Sequence, residues 1–147
     1  MSEVDGGDTS GFNAGEMGAA LWLANKIISD INGLLPAAWV LWQVIDSHIS
    51  SDGYMGNKDS GKPDYTGGYW GLATADHDSK KIILSMKYYA MGQFSRYIRP
   101  NDTIIQAGEH VIASWNQEER KLVLVMVNDT NEKQSCKVDL DEFALKL

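Results

Sequence analysis

Apolar positions fall into two textures along this chain. Up to about residue 97 they form helical stripes and one dense run, and beyond it they alternate. Met17, Leu21, Ala24, Ile28 and Ile31 recur at steps of four and three, which is one face of a helix. The spacing predicts a helix over residues 13–32, with Asn13 as N-cap and Glu16 at the third position. Asn32-Gly33 would end it, the glycine supplying a left-handed cap. Residues 38–45 are apolar at almost every position, the pattern of a parallel strand covered on both faces. Ile83, Met86, Ala90, Phe94 and Tyr97 predict a second helix over 80–97. Before and between these elements, residues 1–5 suit the end of a strand and 6–12 a glycine-rich loop. Residues 46–68 suit a long polar loop and 69–76 a short extended segment.

Arg99-Pro100-Asn101-Asp102 is turn chemistry and marks a boundary. Short strands are expected after it at 103–106, 110–116, 121–128 and 134–140, with 116–120 as a hairpin loop. The order is a strand end, a helix, a buried strand, a helix and then antiparallel strands. It predicts an α/β part over residues 1–100 and a small β part over 101–147.

Composition narrows the function classes. The chain has 147 residues, 44% of them hydrophobic, which suits a globular protein. It is shorter than the roughly 250 residues of a complete (β/α)8 barrel. A net charge of −7 disfavours nucleic acid as a partner, because phosphate binding needs a basic face. No apolar run approaches the roughly 20 residues of a membrane span. The single cysteine, Cys136, allows neither an internal disulfide nor a cysteine-cluster zinc site, and a structural thiol in a strand is expected there. The start, Met-Ser-Glu-Val-Asp-Gly-Gly, lacks the basic and apolar stretches of a signal peptide.

Few residues have a pattern that points to chemistry. Glu3 sits at an expected strand end before a glycine-rich loop and a helix, where barrel enzymes place catalytic groups. Trp39 and Trp42 fall on opposite faces of the expected strand, so one belongs to the core. Trp42, nearer the carboxyl end, is the candidate for an indole platform under a sugar ring, with Gln43 and Asp46 as hydroxyl-binding neighbours. Trp70 could add an aromatic wall or pack in the core. His48, His77 and His110 have no metal-ligand spacing, and His48 with Asp46 and Asp52 suits a solvated loop. Asp52–Asp64 fails the calcium-loop pattern, and Gly61-Lys62-Pro63 is no phosphate loop. Asn101-Asp-Thr and Asn128-Asp-Thr match the glycosylation acceptor pattern.

Four stretches resemble the C-terminal third of glycoside hydrolase family 30: MSEVDGGDTSG at 1–11, AAWVLWQVID at 37–46, GGYWGLA at 67–73 and KYYAMGQFSRYIRP at 87–100. Within the family they look most like endo-β-1,6-galactanase-like members, and the likeness covers most of residues 1–100. The resemblance implies the last two βα units of a (β/α)8 barrel followed by part of a β-sandwich side domain. Residues 13–32 would be the seventh helix, 38–45 the eighth strand and 80–97 the eighth helix. Glu3 would be the nucleophile of a retaining β-glycosidase, and Trp42, Gln43, Asp46 and Trp70 would contact substrate. The acid/base glutamate of an Asn-Glu pair would lie on a missing N-terminal barrel portion. Retention needs both carboxylates about 5–5.5 Å apart, so this chain alone is expected to be inactive. It is also expected to be marginally stable or to aggregate, because barrel strands six and one would be absent.

The implied partner is a polysaccharide or oligosaccharide, with β-1,6-galactan first. No metal or organic cofactor is implied, and the full-length parent would be extracellular or at the cell surface, its signal peptide lying upstream. Two other readings compete: a non-catalytic carbohydrate-binding module centred on 101–147, and an inactive relic of a truncated gene. The aromatics weigh against the module, because four of the five Trp and all six Tyr lie in residues 1–97.

Overall fold

The computed structural model describes residues 15–51 and 71–141; of Asp46 and Ser47 it describes the backbone alone. The expected strand end at 1–5, the glycine-rich loop and most of the 46–68 loop lie outside these residues. The described elements run α1 (Met17–Leu34), β1 (Ile45–Ile49), β2 (Ala73–Asp76), β3 (Lys81–Leu84), α2 (Met86–Ser95), β4 (Thr103–Ile105), β5 (Val111–Asn116) and β6 (Lys121–Met126). They form two three-stranded sheets, ordered β1-β2-β3 and β4-β5-β6. In the first, β1 pairs with β2 in parallel and β2 with β3 antiparallel. The second is an antiparallel meander.

Helix α1 forms where the apolar stripe called for it, with shifted ends. Glu16 occupies the N-cap position, and the helix runs through Gly33 to Leu34. The left-handed cap expected at Gly33 falls on Leu35 instead (φ 44°), whose N–H reaches the Ile31 carbonyl at 2.9 Å. The buried stripe is also wider than expected. Ala19, Ala20, Leu23, Ala24, Ile27 and Ile28 are buried, while Met17 is 51% exposed. Two adjacent rows of side chains face inward because α1 is covered from two sides. Leu23, Ala24, Ile27 and Ile28 share one apolar cluster with Leu72, Phe94 of α2 and Ile112 of β5. That cluster runs across the boundary placed at residues 99–102.

The strand expected at 38–45 is displaced to 45–49. Residues 38–44 keep the alternation of a strand: Trp39 and Leu41 pack on the core, while Val40, Trp42 and Val44 are exposed. A strand also needs a backbone partner. Among the described residues the chain finds it in β2, which lies opposite 45–49.

The helix expected over 80–97 is shortened to α2 at 86–95, because residues 81–84 are a strand. A tight turn forces this. Asp76 accepts hydrogen bonds from the N–H groups of Asp78 and Ser79 and from the Ser79 hydroxyl, and Lys80 takes the left-handed conformation (φ 56°). The chain then leaves as Lys-Ile-Ile-Leu, whose β-branched pair suits an extended backbone. Helix α2 begins after Ser85, whose hydroxyl donates to the Leu72 carbonyl rather than capping the helix.

In the second sheet the strands at 103–105, 111–116 and 121–126 and the hairpin between the last two match expectation. The strand expected at 134–140 does not form. That stretch is exposed throughout, Val138 and Leu140 included. Cys136 is therefore an exposed free thiol, not the packed one expected.

Asp102 ties the turn to this sheet. It accepts the Arg99 N–H at 3.0 Å, the Ser114 hydroxyl at 3.2 Å and the Asn116 amide at 2.8 Å. The Arg99 N–H, with the two side-chain donors, outweighs burial and holds the carboxyl below its ordinary 3.8. Folding thus lowers the affinity of this group for protons. Its contribution to stability is complete above the unfolded pKa and is lost as pH falls through the folded one. Asp102→Asn is expected to cost about 1 kcal/mol at pH 7 and to flatten the acid limb of the stability curve, read by urea unfolding between pH 7 and 2.

Among the described residues the outer strand β3 is paired on one side alone. Ile82, Ile83 and Leu84 are 56%, 45% and 41% exposed, and a bare apolar edge templates pairing with another chain. Self-association through it is expected. Ile83→Lys should shift the sedimentation profile toward monomer while moving the thermal midpoint by no more than about 2 °C, as for other surface substitutions.

Candidate functional site

Two tryptophans three residues apart meet opposite fates. Trp39 packs on the core, and its indole N–H donates to Asp30 at 3.0 Å. Asp30 is buried on α1 and also accepts the Lys26 ammonium at 2.7 Å. Burial alone would raise the Asp30 pKa; the bonds from Lys26 and Trp39 together outweigh it and hold the carboxyl below its ordinary range. This anchor fixes the segment after α1, and the alternation then turns Trp42 outward, 51% exposed.

Immediately after Trp42 the chain is stitched to β2. The Gln43 carbonyl accepts the Leu72 N–H at 3.3 Å, and the Val44 carbonyl accepts the Ala73 N–H at 2.9 Å. The Trp42–Gln43 peptide is cis. Trp42 therefore stands exposed on a segment held at both ends, with Gln43 half-buried beside it. An indole presented this way offers a flat apolar face, and an adjacent amide offers both a donor and an acceptor. That combination suits the C–H face and hydroxyl rim of a sugar.

Of the other expected site residues, Asp46 contributes its backbone to β1, and Glu3 and Trp70 lie outside the described residues. Whether these three join Trp42 and Gln43 is thus a matter for proposal.

A second polar cluster lies at the far end of the β1–β2 pair. The His77 N–H donates to the Ile49 carbonyl at 2.8 Å, extending the parallel ladder. Across it, His48 Nδ1 and His77 Nε2 are 3.0 Å apart. Asp78 accepts the Ser51 N–H and hydroxyl at 2.9–3.0 Å. Hydrogen bonds from Ser79, then from the Asp78 N–H, hold the Asp76 carboxyl below its ordinary range. Sequence reasoning placed His48 in a solvated loop and gave His77 no role. Twenty-nine residues separate them, and only the pairing of β1 with β2 brings them together.

Two clefts elsewhere have different characters. A polar one of about 750 Å³ between α1 and the β4–β5 connection is lined by Asn25, Asn32, Glu109, His110 and Asp129, and it carries no Trp, Tyr or Phe. An apolar one of about 270 Å³ lies between the helices and β6, against Met17, Leu21, Tyr89, Phe94 and Met126. Among the described residues no group of three or more His, Cys, Asp or Glu is arranged to hold a metal ion. No described helix is long and apolar enough to cross a membrane.

No family model matches this chain, and no solved structure matches it. It is similar to the endo-beta-1,6-galactanase of Hypocrea rufa, with 28% identity over 105 residues, 70% of this chain and 18% of that protein. The chain thus spans less than a fifth of that relative's length. The likeness supports a distant relationship to glycoside hydrolases.

Proposed function

We propose that this chain is part of a retaining endo-β-glycosidase of the family 30 type, acting on β-linked polysaccharide and first on β-1,6-galactan. One observation carries the reading: Trp42 is held exposed beside Gln43 by an anchored neighbour, in a chain similar to an endo-beta-1,6-galactanase. An indole half open to solvent keeps apolar surface in water, which is unfavourable until something covers it. Fixing it there, while Trp39 three residues earlier is half-buried against the core, suits a surface that a ligand covers. In this reading the α/β elements up to residue 100 are the last two βα units of a (β/α)8 barrel. The sheet after it belongs to a β-sandwich side domain.

Glu3 is proposed as the nucleophile. Its carboxylate would attack the anomeric carbon, displacing the leaving oxygen as an acid elsewhere protonates it. Water activated by that same group would then release the sugar from the glutamyl ester. The partner carboxyl is assigned to the part of the parent barrel that this sequence does not carry. Trp42, Gln43, Asp46 and Trp70 would seat the sugar against that attack.

Two measurements test this. The purified 147-residue chain is expected to release no reducing sugar from β-1,6-galactan, and measured turnover by it overturns the division of the two carboxylates. A β-1,6-linked galacto-oligosaccharide is expected to shift the Trp42 indole resonance, and Trp42→Ala to weaken its binding at least tenfold with an unchanged circular dichroism spectrum. Equal binding by the variant, or no response to any β-linked oligosaccharide, would sink the platform.

A further inference from the structure

We propose that His48 and His77 form a binding site for a divalent transition-metal ion, with Cu²⁺ the best fit. The inference stands apart from the glycosidase reading and rests on where the β1–β2 ladder puts two imidazoles. His48 lies on β1 opposite Ala75, and His77 follows the last residue of β2, its own N–H bonded to Ile49. Both backbones are thus fixed by the sheet. The rings lie with centroids 5.2 Å apart and planes 27° from parallel, and Nδ1 of His48 faces Nε2 of His77 at 3.0 Å. Two ring nitrogens approach this closely with a hydrogen between them, one donating its N–H and the other accepting on its lone pair. In the structure that is one shared N–H, donated by either ring.

A metal ion can take the place of that proton. Two metal–nitrogen bonds of about 2.0–2.1 Å at a right angle span about 2.9–3.0 Å, whereas a tetrahedral angle spans about 3.3–3.4 Å. The observed 3.0 Å is the length of the N–H···N bond and lies within a few tenths of an ångström of either span, and among divalent first-row ions an imidazole pair binds Cu²⁺ most strongly. The two nitrogens face one another, and each ring must swing by roughly 45° for the two lone pairs to meet at a right angle on one ion. The χ2 torsion has broad wells. His77 is exposed and His48 half-buried, so the pair is open to an ion from solvent. Asp76 and Asp78 flank His77, and their charges favour a cation at this edge. The site supplies two protein ligands, which is why it forms no larger donor group among the described residues.

The test is a Cu²⁺ titration of the full chain followed by electron paramagnetic resonance. One tightly held equivalent showing coupling to imidazole nitrogen is expected. His48→Ala and His77→Ala should each weaken it at least tenfold, while His110→Ala leaves it unchanged. A second measurement needs no variant: substoichiometric Cu²⁺ should broaden the ring signals of His48 and His77 before those of His110. Equal binding by the His48 and His77 variants, absence of nitrogen coupling, or uniform broadening of all three histidines would each overturn the proposal.

Discussion

Leu23 has no surface open to solvent, and the described fold is arranged around what covers it. Helix α1 cannot bury its inward face alone, and an isolated helix of 18 residues is marginal in water. Its cover comes from three places far apart in the chain: Leu72 before β2, Phe94 on α2 and Ile112 on β5. Each large aliphatic side chain removed from water there contributes about 1.5–3 kcal/mol. The same cluster therefore holds the helices to one another and both sheets to the helices. Trp39 leans on it from outside, so the presentation of Trp42 depends on α1 packing as well as on the Asp30 bond.

What the sequence made legible follows from how local each signal is. The α1 stripe and the β5–β6 hairpin depend on short-range periodicity and turn residues, and both formed near their expected positions. The segment 80–97 carried two signals at once, a helical spacing of apolar residues and a β-branched Ile-Ile pair. The Asp76–Lys80 turn decided for a strand at 81–84 by setting that pair antiparallel to β2. Residues 38–44 show the opposite case. Their alternation was read correctly, but a strand is a property of two backbones, and the location of the partner is not written in the run itself. The stretch 134–140 had the alternation and no partner at all among the described residues.

The candidate site divides in the same way. That one of Trp39 and Trp42 would be buried followed from alternation, and the choice of Trp42 as the open one followed from its place nearer the carboxyl end. The anchor that makes the choice, Asp30, lies nine residues before Trp39 on α1, off the apolar stripe that periodicity predicted. A buried aspartate in a helix carries no sequence pattern of its own; its partners Lys26 and Trp39 give it meaning only once folded. The His48–His77 contact was invisible for a stronger reason. Metal-ligand spacing rules apply to ligands on one turn or helix, and these two are joined only by strand pairing.

The parallel β1–β2 ladder thus does two jobs from opposite ends. At its start, the Gln43 and Val44 carbonyls bond to Leu72 and Ala73 and hold the residue after Trp42 in place. At its finish, the His77 N–H bonds to Ile49 and sets one imidazole against the other. Strands rise about 3.3 Å per residue, so six residues from Trp42 to His48 put the two features up to about 20 Å apart. They sit at opposite ends of the ladder and are held by different backbone bonds. A single short pairing therefore supports two separate surfaces, one apolar and flat, the other imidazole-rich and acidic. Loosening the ladder would disturb both, whereas changing either surface side chain should leave the other intact.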